Sequence, residues 1–406
     1  MMNKRIILAI LLLFVLGACS NKPAETPAIE APVDPATAVP TAAPTDLLLT
    51  PSVAPTSPPT APTADASSVP IAWGPDNFPI TVNPLTGQTV SNQALLERRP
   101  VAVKVQIFPR GQRPPWGVSL ADIVYDYYNN FGLTRFHTIF YGTDAETVGP
   151  IRSARLLDQS LVEMYKSIFA FGSAEQRTYS KLFSSNIGER LVVEGDANCP
   201  PMCRLDPNGN NYLVTNSNEL SNYVTQRGVS NTRQNLNGMT FNEMTPANGQ
   251  QGQQATIRFS ISAYNRWDYD PSSGRYLRAQ DVQEANDIQS EAYEPMRDQL
   301  TGQQIATDNV AILFAAYDYA FGSRPGPNEV VQVNLMGSGP AVAFRNGQAF
   351  ELTWNRPGED YVLYLTFPDG TAYPYKPGNT WYEVVGKSSK ISNLGNGAFR
   401  FDHSIP

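Results

Sequence analysis

The chain has 406 residues, with 30 basic against 37 acidic side chains, two histidines and three cysteines. A formal charge of −7 disfavours nucleic acid and anionic membrane surfaces as partners, since both are normally met by basic faces. So few histidines and cysteines leave no ligand set for the common zinc enzymes, and nothing in the composition calls for a cofactor or a metal.

Lys4 and Arg5 precede an apolar run from Ile6 to Leu16, which ends in Leu16-Gly17-Ala18-Cys19. A basic start, a short hydrophobic stretch and small residues form a secretory signal, too short to span a bilayer stably. The pattern resembles a bacterial lipobox. That resemblance implies a signal peptide over 1–18, lipid on Cys19 and an extracytoplasmic protein held to the membrane by that lipid.

Residues 19–76 read as a disordered tether rich in Pro, Thr and Ala. They hold 13 of the 34 prolines and no aromatic before Trp73, so they have too little apolar surface to offset the entropy of ordering. As a flexible coil, about 55 residues reach roughly 40 Å.

The remainder has room for two domains. Over 77–247 the patterns interleave and predict an α+β domain, a mixed sheet covered by helices. Pro100 to Phe108 alternates as a strand. Ala121 to Asn130 and Leu133 to Gly142 form a hairpin around Asn130-Phe131-Gly132. Ser153 to Lys166 has helical spacing with Ser153 as cap, and Ile168 to Gly172 is a short buried strand. Asn216 to Gly228 is a second helix, with Asn216 and Glu219 as a cap pair. Cys199-Pro200-Pro201-Met202-Cys203 suits an intraloop disulfide in an oxidising compartment.

A Gly, Gln and Asn rich stretch from Pro246 to Gln254 marks the boundary. Over 255–402 short β-rich runs follow at Thr256 to Tyr264, Val310 to Tyr317, Val330 to Leu335, Ala341 to Phe344, Phe350 to Trp354, Val362 to Phe367 and Thr380 to Val385. Asn346-Gly347 and Asp369-Gly370 fall between strands, where positive φ is needed. The expectation is a mainly antiparallel β domain.

Several short motifs in order carry a family resemblance: Asn83-Pro84-Leu85-Thr86-Gly87, Arg98-Arg99-Pro100-Val101-Ala102-Val103, Ala121-Asp122-Ile123-Val124-Tyr125, Thr134-Arg135-Phe136 and Gly149-Pro150-Ile151-Arg152-Ser153-Ala154-Arg155. With Trp267-Asp268-Tyr269-Asp270 and Pro377-Gly378-Asn379-Thr380-Trp381, the chain resembles the YerB-like lipoproteins, a domain of unknown function. The resemblance implies a two-part bacterial envelope lipoprotein and no established reaction.

The candidate ligand site is Arg135, Arg152, Ser153 and Arg155, with Asp122 and Asp126. Two arginines in a helix's first turn oppose its dipole unless an anion offsets them. That anion is either a ligand or an internal carboxylate, Asp122 or Asp126; a cross-strand Asp126 to Arg135 pair fits the hairpin. Asp122 and Asp126 also stand as a carboxylate pair for a glycan-processing hydrolase. Tyr125, Tyr127, Tyr128, Phe131, Trp116, Trp354 and Trp381 are either a sugar-stacking platform or core. The reading that joins these features is a non-catalytic binding or scaffolding module for an anionic cell-wall ligand, with a hydrolase or a protein-partner adaptor as alternatives. Its partners are then a cell-wall glycan or an envelope protein, and no nucleic acid.

Overall fold

Side chains alternate along the strands, and most strands are buried on both sides, so the sheet has two apolar faces to cover. The computed structural model describes residues 72–195, 198–206, 212–326 and 328–405; the signal segment, Cys19 and the tether up to residue 71 lie outside the described residues. The described chain is mainly β with three α-helices, within the expected α+β class.

The first region supplies β1 (Val101–Gln106), β2 (Ile123–Asn130), β3 (Leu133–Phe140), α1 (Leu156–Tyr165), β4 (Ile168–Phe171), α2 (Gln176–Ser184), β5 (Leu191–Val193) and α3 (Ser217–Gln226). The second supplies β6 (Gln254–Arg258), β7 (Tyr264–Asp270), β8 (Arg275–Asp281), β9 (Asn309–Tyr319), β10 (Gly337–Arg345), β11 (Gln348–Arg356), β12 (Thr380–Gly386), β13 (Lys390–Gly395) and β14 (Ala398–Asp402). Short strands complete the pairing.

One main sheet takes strands from both regions, in the order β11-β10-β9-β12-β2-β3-β1-β4-β5. Its central strand β12 runs parallel to β9 on one side and to β2 on the other. The second region is therefore not the self-contained antiparallel domain expected from its turns. Turn residues report local hairpins such as β10–β11, where Asn346 and Gly347 both have positive φ. They carry no signal for a strand that inserts far from its neighbours in sequence. The Gln250–Gln251 stretch, expected as a boundary, pairs with β11 at the edge of the same sheet.

Residues of one parity on β2, Ile123, Tyr125 and Tyr127, face a core shared with α1 and α2. The opposite face packs Val124, Phe136 and Trp381 against a second sheet, in which β8, β7, β6, β14 and β13 are consecutive neighbours. Thr256 to Tyr264, expected as one strand, is broken into β6 and the start of β7.

Helix α1 begins at Leu156, three residues later than expected. Ile151 bridges Val105, and the Ala154 N–H donates to the Ser173 carbonyl, so the approach is held extended. Ser153 hydrogen-bonds Ser173 instead of capping the helix. Helix α3 is capped by Asn216, whose Oδ1 accepts the Asn218 and Glu219 N–H groups, without the reciprocal Glu219 bond that the expected cap pair would add. Cys199 and Cys203 are joined as a disulfide, with Cα atoms 4.9 Å apart.

Between the two sheets lies a buried ionic cluster. Arg278 of β8 meets Asp126 of β2 at 2.7 Å and Glu383 of β12 at 2.8 Å, all three fully buried. Trp267 and Asn265 of β7 also donate to Glu383. Phe136, Trp267 and Trp381 surround the guanidinium at 4.7 to 5.1 Å from ring centroid to Cζ. Removing the cation leaves two buried carboxylates unpaired. Arg278→Met should therefore lower folding stability by roughly 3–5 kcal/mol, seen as a lower urea midpoint; an unchanged midpoint would show that the cluster does not hold the sheets together.

Candidate functional site

Polar residues at alternate positions of β1 and β3 look out of place in buried strands, and the register explains them. Lys104 lies opposite His137, Gln106 opposite Arg135, and Arg135 opposite Tyr127 on the other neighbour. All five therefore share the α1 side of the sheet, in layers that run from the core toward the N-terminal end of α1.

At the base, Asp158 from the first turn of α1 is fully buried. Its Oδ1 accepts from Tyr127 Oη at 2.6 Å, His137 Nδ1 at 2.9 Å and Lys104 Nζ at 3.1 Å, and its Oδ2 accepts the Arg155 backbone N–H at 2.6 Å. Burial alone would raise this carboxyl, but Lys104, His137 and Tyr127 hold it well below the usual carboxylate range. Burial pushes Lys104 down to about 7 against the pull of Asp158, with Arg155 and Arg135 adding to the fall. Burial likewise lowers His137, whose Nε2 has no hydrogen-bond partner among the described residues.

Above this base are the arginines. Arg135 Nη1 donates to the Ser153 carbonyl at 3.1 Å. Arg155 donates to the carbonyls of Ala154 at 2.9 Å and Ser153 at 3.3 Å, and to Asn130 Oδ1 at 3.2 Å. Arg152 stands to one side, donating to the Ile151 carbonyl and to Gln112, which also accepts from Gln106. Burial, then the charges of Arg155 and Arg152, pull Arg135 down to about 9.

The expected site is thus assembled in part. Arg135, Ser153 and Arg155 come together, with Arg152 on the neighbouring stretch. Asp122 and Asp126 do not join them. Asp126 lies opposite Phe136, not Arg135, and that single step of register sends its side chain through the sheet to Arg278. Asp122 is buried and accepts from the Tyr141 and Gly142 N–H groups and from Asn83, while burial raises it to about 6. Both carboxylates are enclosed and committed, which removes the geometric basis for the hydrolase pair. Of the suggested aromatic platform, Tyr125, Tyr127, Trp354 and Trp381 are core residues.

Asp158, the carboxylate beneath these arginines, carries no distinct sequence signal, because polar residues are ordinary in an amphipathic helix. Lys104 and Gln106 had a readable signal: polar side chains at alternate positions of Val101-Ala102-Val103-Lys104-Val105-Gln106, whose neighbours are all apolar. Asp158→Asn should keep the shape but weaken the hold on Lys104 and Arg155. Thermal unfolding should show a loss of about 3 kcal/mol or more, and full stability would mean that Asp158 is not the keystone described.

Residues 85–230 match the family described as "Protein of unknown function (DUF3048) N-terminal domain", and residues 255–382 match its C-terminal domain. The chain is 28% identical over 321 residues to a protein of Bacillus subtilis (strain 168) named "Putative lipoprotein YerB", covering 77% of this chain and 88% of that one. The crystal structure of YerB protein from Bacillus subtilis is similar with a TM-score of 0.60 at 25% identity, covering 75% of this chain and 96% of the other.

Proposed function

The chain belongs to the DUF3048 family of proteins of unknown function, and from that premise we propose that it is a lipid-anchored, extracytoplasmic binding module that takes an anionic cell-wall ligand on Arg135, Arg155 and Arg152. The observation that carries this reading is how the fold treats its other paired arginines. Arg110 and Arg113 share Asp281, and Arg258 and Arg400 share Glu291. Arg99 and Arg190 meet the carbonyls of Val162, Lys166 and Ser167 at the C-terminal end of α1, where the helix itself is the negative partner.

Arg135 and Arg155 have neither form of support. They converge at the N-terminal end of α1, where the helix potential is positive, and neither meets a carboxylate oxygen in a salt bridge among the described residues. Asp158 compensates in part, but its charge is already shared with Lys104. A carboxylate or phosphoryl group seated between the two guanidinium groups would supply what the other pairs have, with bidentate contacts. No reaction is part of this reading, since binding needs only the donors.

Titration of the protein with inorganic phosphate, followed by amide chemical shifts, should give saturable changes around Ser153 and Arg155. Arg135→Gln should weaken binding about tenfold, and Arg152→Ala should weaken it less, with the thermal midpoint nearly unchanged. With sulfate as the probe, whose charge is the same at both pH values, binding should be tighter at pH 6 than at pH 8, because Lys104 gains its proton as pH falls through about 7. Equal affinity in wild type and Arg135→Gln would refute the site.

Anchoring has its own test. Wild-type protein made in a bacterial host should enter the detergent phase on phase separation and Cys19→Ser should stay in the aqueous phase; equal partitioning would defeat the anchor.

A further inference from the structure

Near the C-terminal end of α1, the chain between β11 and the short strand Tyr364–Thr366 makes a tight turn that is fastened from several directions. The buried Arg356 donates to the carbonyl of Glu359 within the turn and to that of Ser160 on α1. Lys166, just past α1, donates to the carbonyl of Asp360. The Tyr361 N–H closes the turn on the Gly358 carbonyl.

The side chain that this clamped turn presents is Tyr361, which is 56% exposed. One side of its ring lies over Gly358, close enough that a Cβ there would stand 2.9 Å from Tyr361 Cδ2. An aromatic ring with such exposure on a well-fastened turn does no work for the core.

The ring borders a cleft of about 500 Å³ that also takes in Tyr364, Asn235, Asp76, Asp360 and Lys166. The hydroxyls of Tyr361 and Tyr364, the Asn235 side-chain N–H groups and the carboxylates of Asp76 and Asp360 make no hydrogen bond among the described residues, although Asn235 Oδ1 is held by the Asn237 N–H. Two acids against one lysine make the cleft unsuited to an anion, in contrast to the arginine site. A rigid aromatic face beside free carboxylate, amide and hydroxyl groups matches a neutral sugar, whose axial C–H groups pack on a ring while its hydroxyls bond to the flanking polar groups.

We propose that the Tyr361 cleft is a second binding site, for a neutral saccharide unit of a glycan. It is separate from the anion site in residues and in charge. Of the aromatics suggested by sequence as a sugar platform, Tyr125, Tyr127, Trp354 and Trp381 are core, Phe131 is exposed on its hairpin turn, and none of the seven lines this cleft.

The test uses the full chain in a non-glycosidic detergent, titrated with chitohexaose and with maltohexaose and followed by isothermal calorimetry and tyrosine fluorescence. At least one of the two should bind saturably. Tyr361→Ala should weaken that binding about tenfold, Tyr361→Phe should stay within about twofold because the ring is kept, and Arg135→Gln should leave it unchanged. Since Tyr361 is exposed, the alanine variant should fold normally, which the thermal midpoint verifies. Absence of saturable binding by both sugars, or equal affinity in wild type and a folded Tyr361→Ala, overturns the proposal; loss of phosphate binding alone in Arg135→Gln bears on the anion site and not on this one.

Discussion

The architecture turns on one guanidinium that cannot reach water. Arg278 comes from the second sheet, while Asp126 and Glu383 lie directly opposite each other on adjacent parallel strands of the main sheet. A lone buried charge costs far more than a fold can spare, so these three groups must be brought together in one arrangement for any of them to be buried. That requirement ties β2 from the first half, β12 from the C-terminal end and β8 from the second sheet to a common register. It also makes the halves interdependent, since the strand that completes the first half's sheet arrives more than 250 residues later. Two carboxylates facing one cation leave an excess of negative charge. Burial, then the charge of Asp126, accordingly pushes Glu383 up to about 7.

Register links this cluster to the arginine site through the sheet. Asp126 and Tyr127 are neighbours on β2 and point to opposite faces, one into the Arg278 cluster and the other onto Asp158. Both faces at this level are therefore polar, enclosed and mutually exclusive in their partners. A slip of one residue would put Asp126 beside Asp158 and Tyr127 beside Arg278, which sets like charges together on one face and leaves Arg278 with Glu383 alone on the other. Apolar strands buried on both sides carry little register information of their own; here the polar residues supply it.

Much of the local structure was legible because it rests on local chemistry. The alternation in β1, the turn around Phe131 and Gly132, the Asn216 cap and the Asn346-Gly347 turn all depend on residues within a few positions of one another. The start of α1 was misplaced because Ser153 has the chemistry of a cap but is held extended by β1 and by Ser173, which no local pattern contains. The insertion of β12 was illegible for the same reason, being a pairing between distant segments. At the site, the arginines announced themselves through an electrostatic conflict with the helix. The answer within the protein, Asp158, is spaced like any solvated residue of an amphipathic helix and is revealed only by what lies above it.

The two ends of α1 show why the conflict matters. At the C-terminal end, Arg99, Arg190 and Lys166 sit where carbonyls collect, and the charge distribution is settled within the protein. At the N-terminal end the same residue type sits where N–H groups collect, over a carboxylate that Lys104 already engages. Natural folds retain such unfavourable groupings where a bound group relieves them, because the donors are then set in place before the ligand arrives. The cationic surplus at one end of α1, and the aromatic cleft with more acid than base clamped near the other by Arg356 and Lys166, give one helix two chemically different surroundings. A glycan that carries both acidic and neutral units is the kind of ligand for which both would be used.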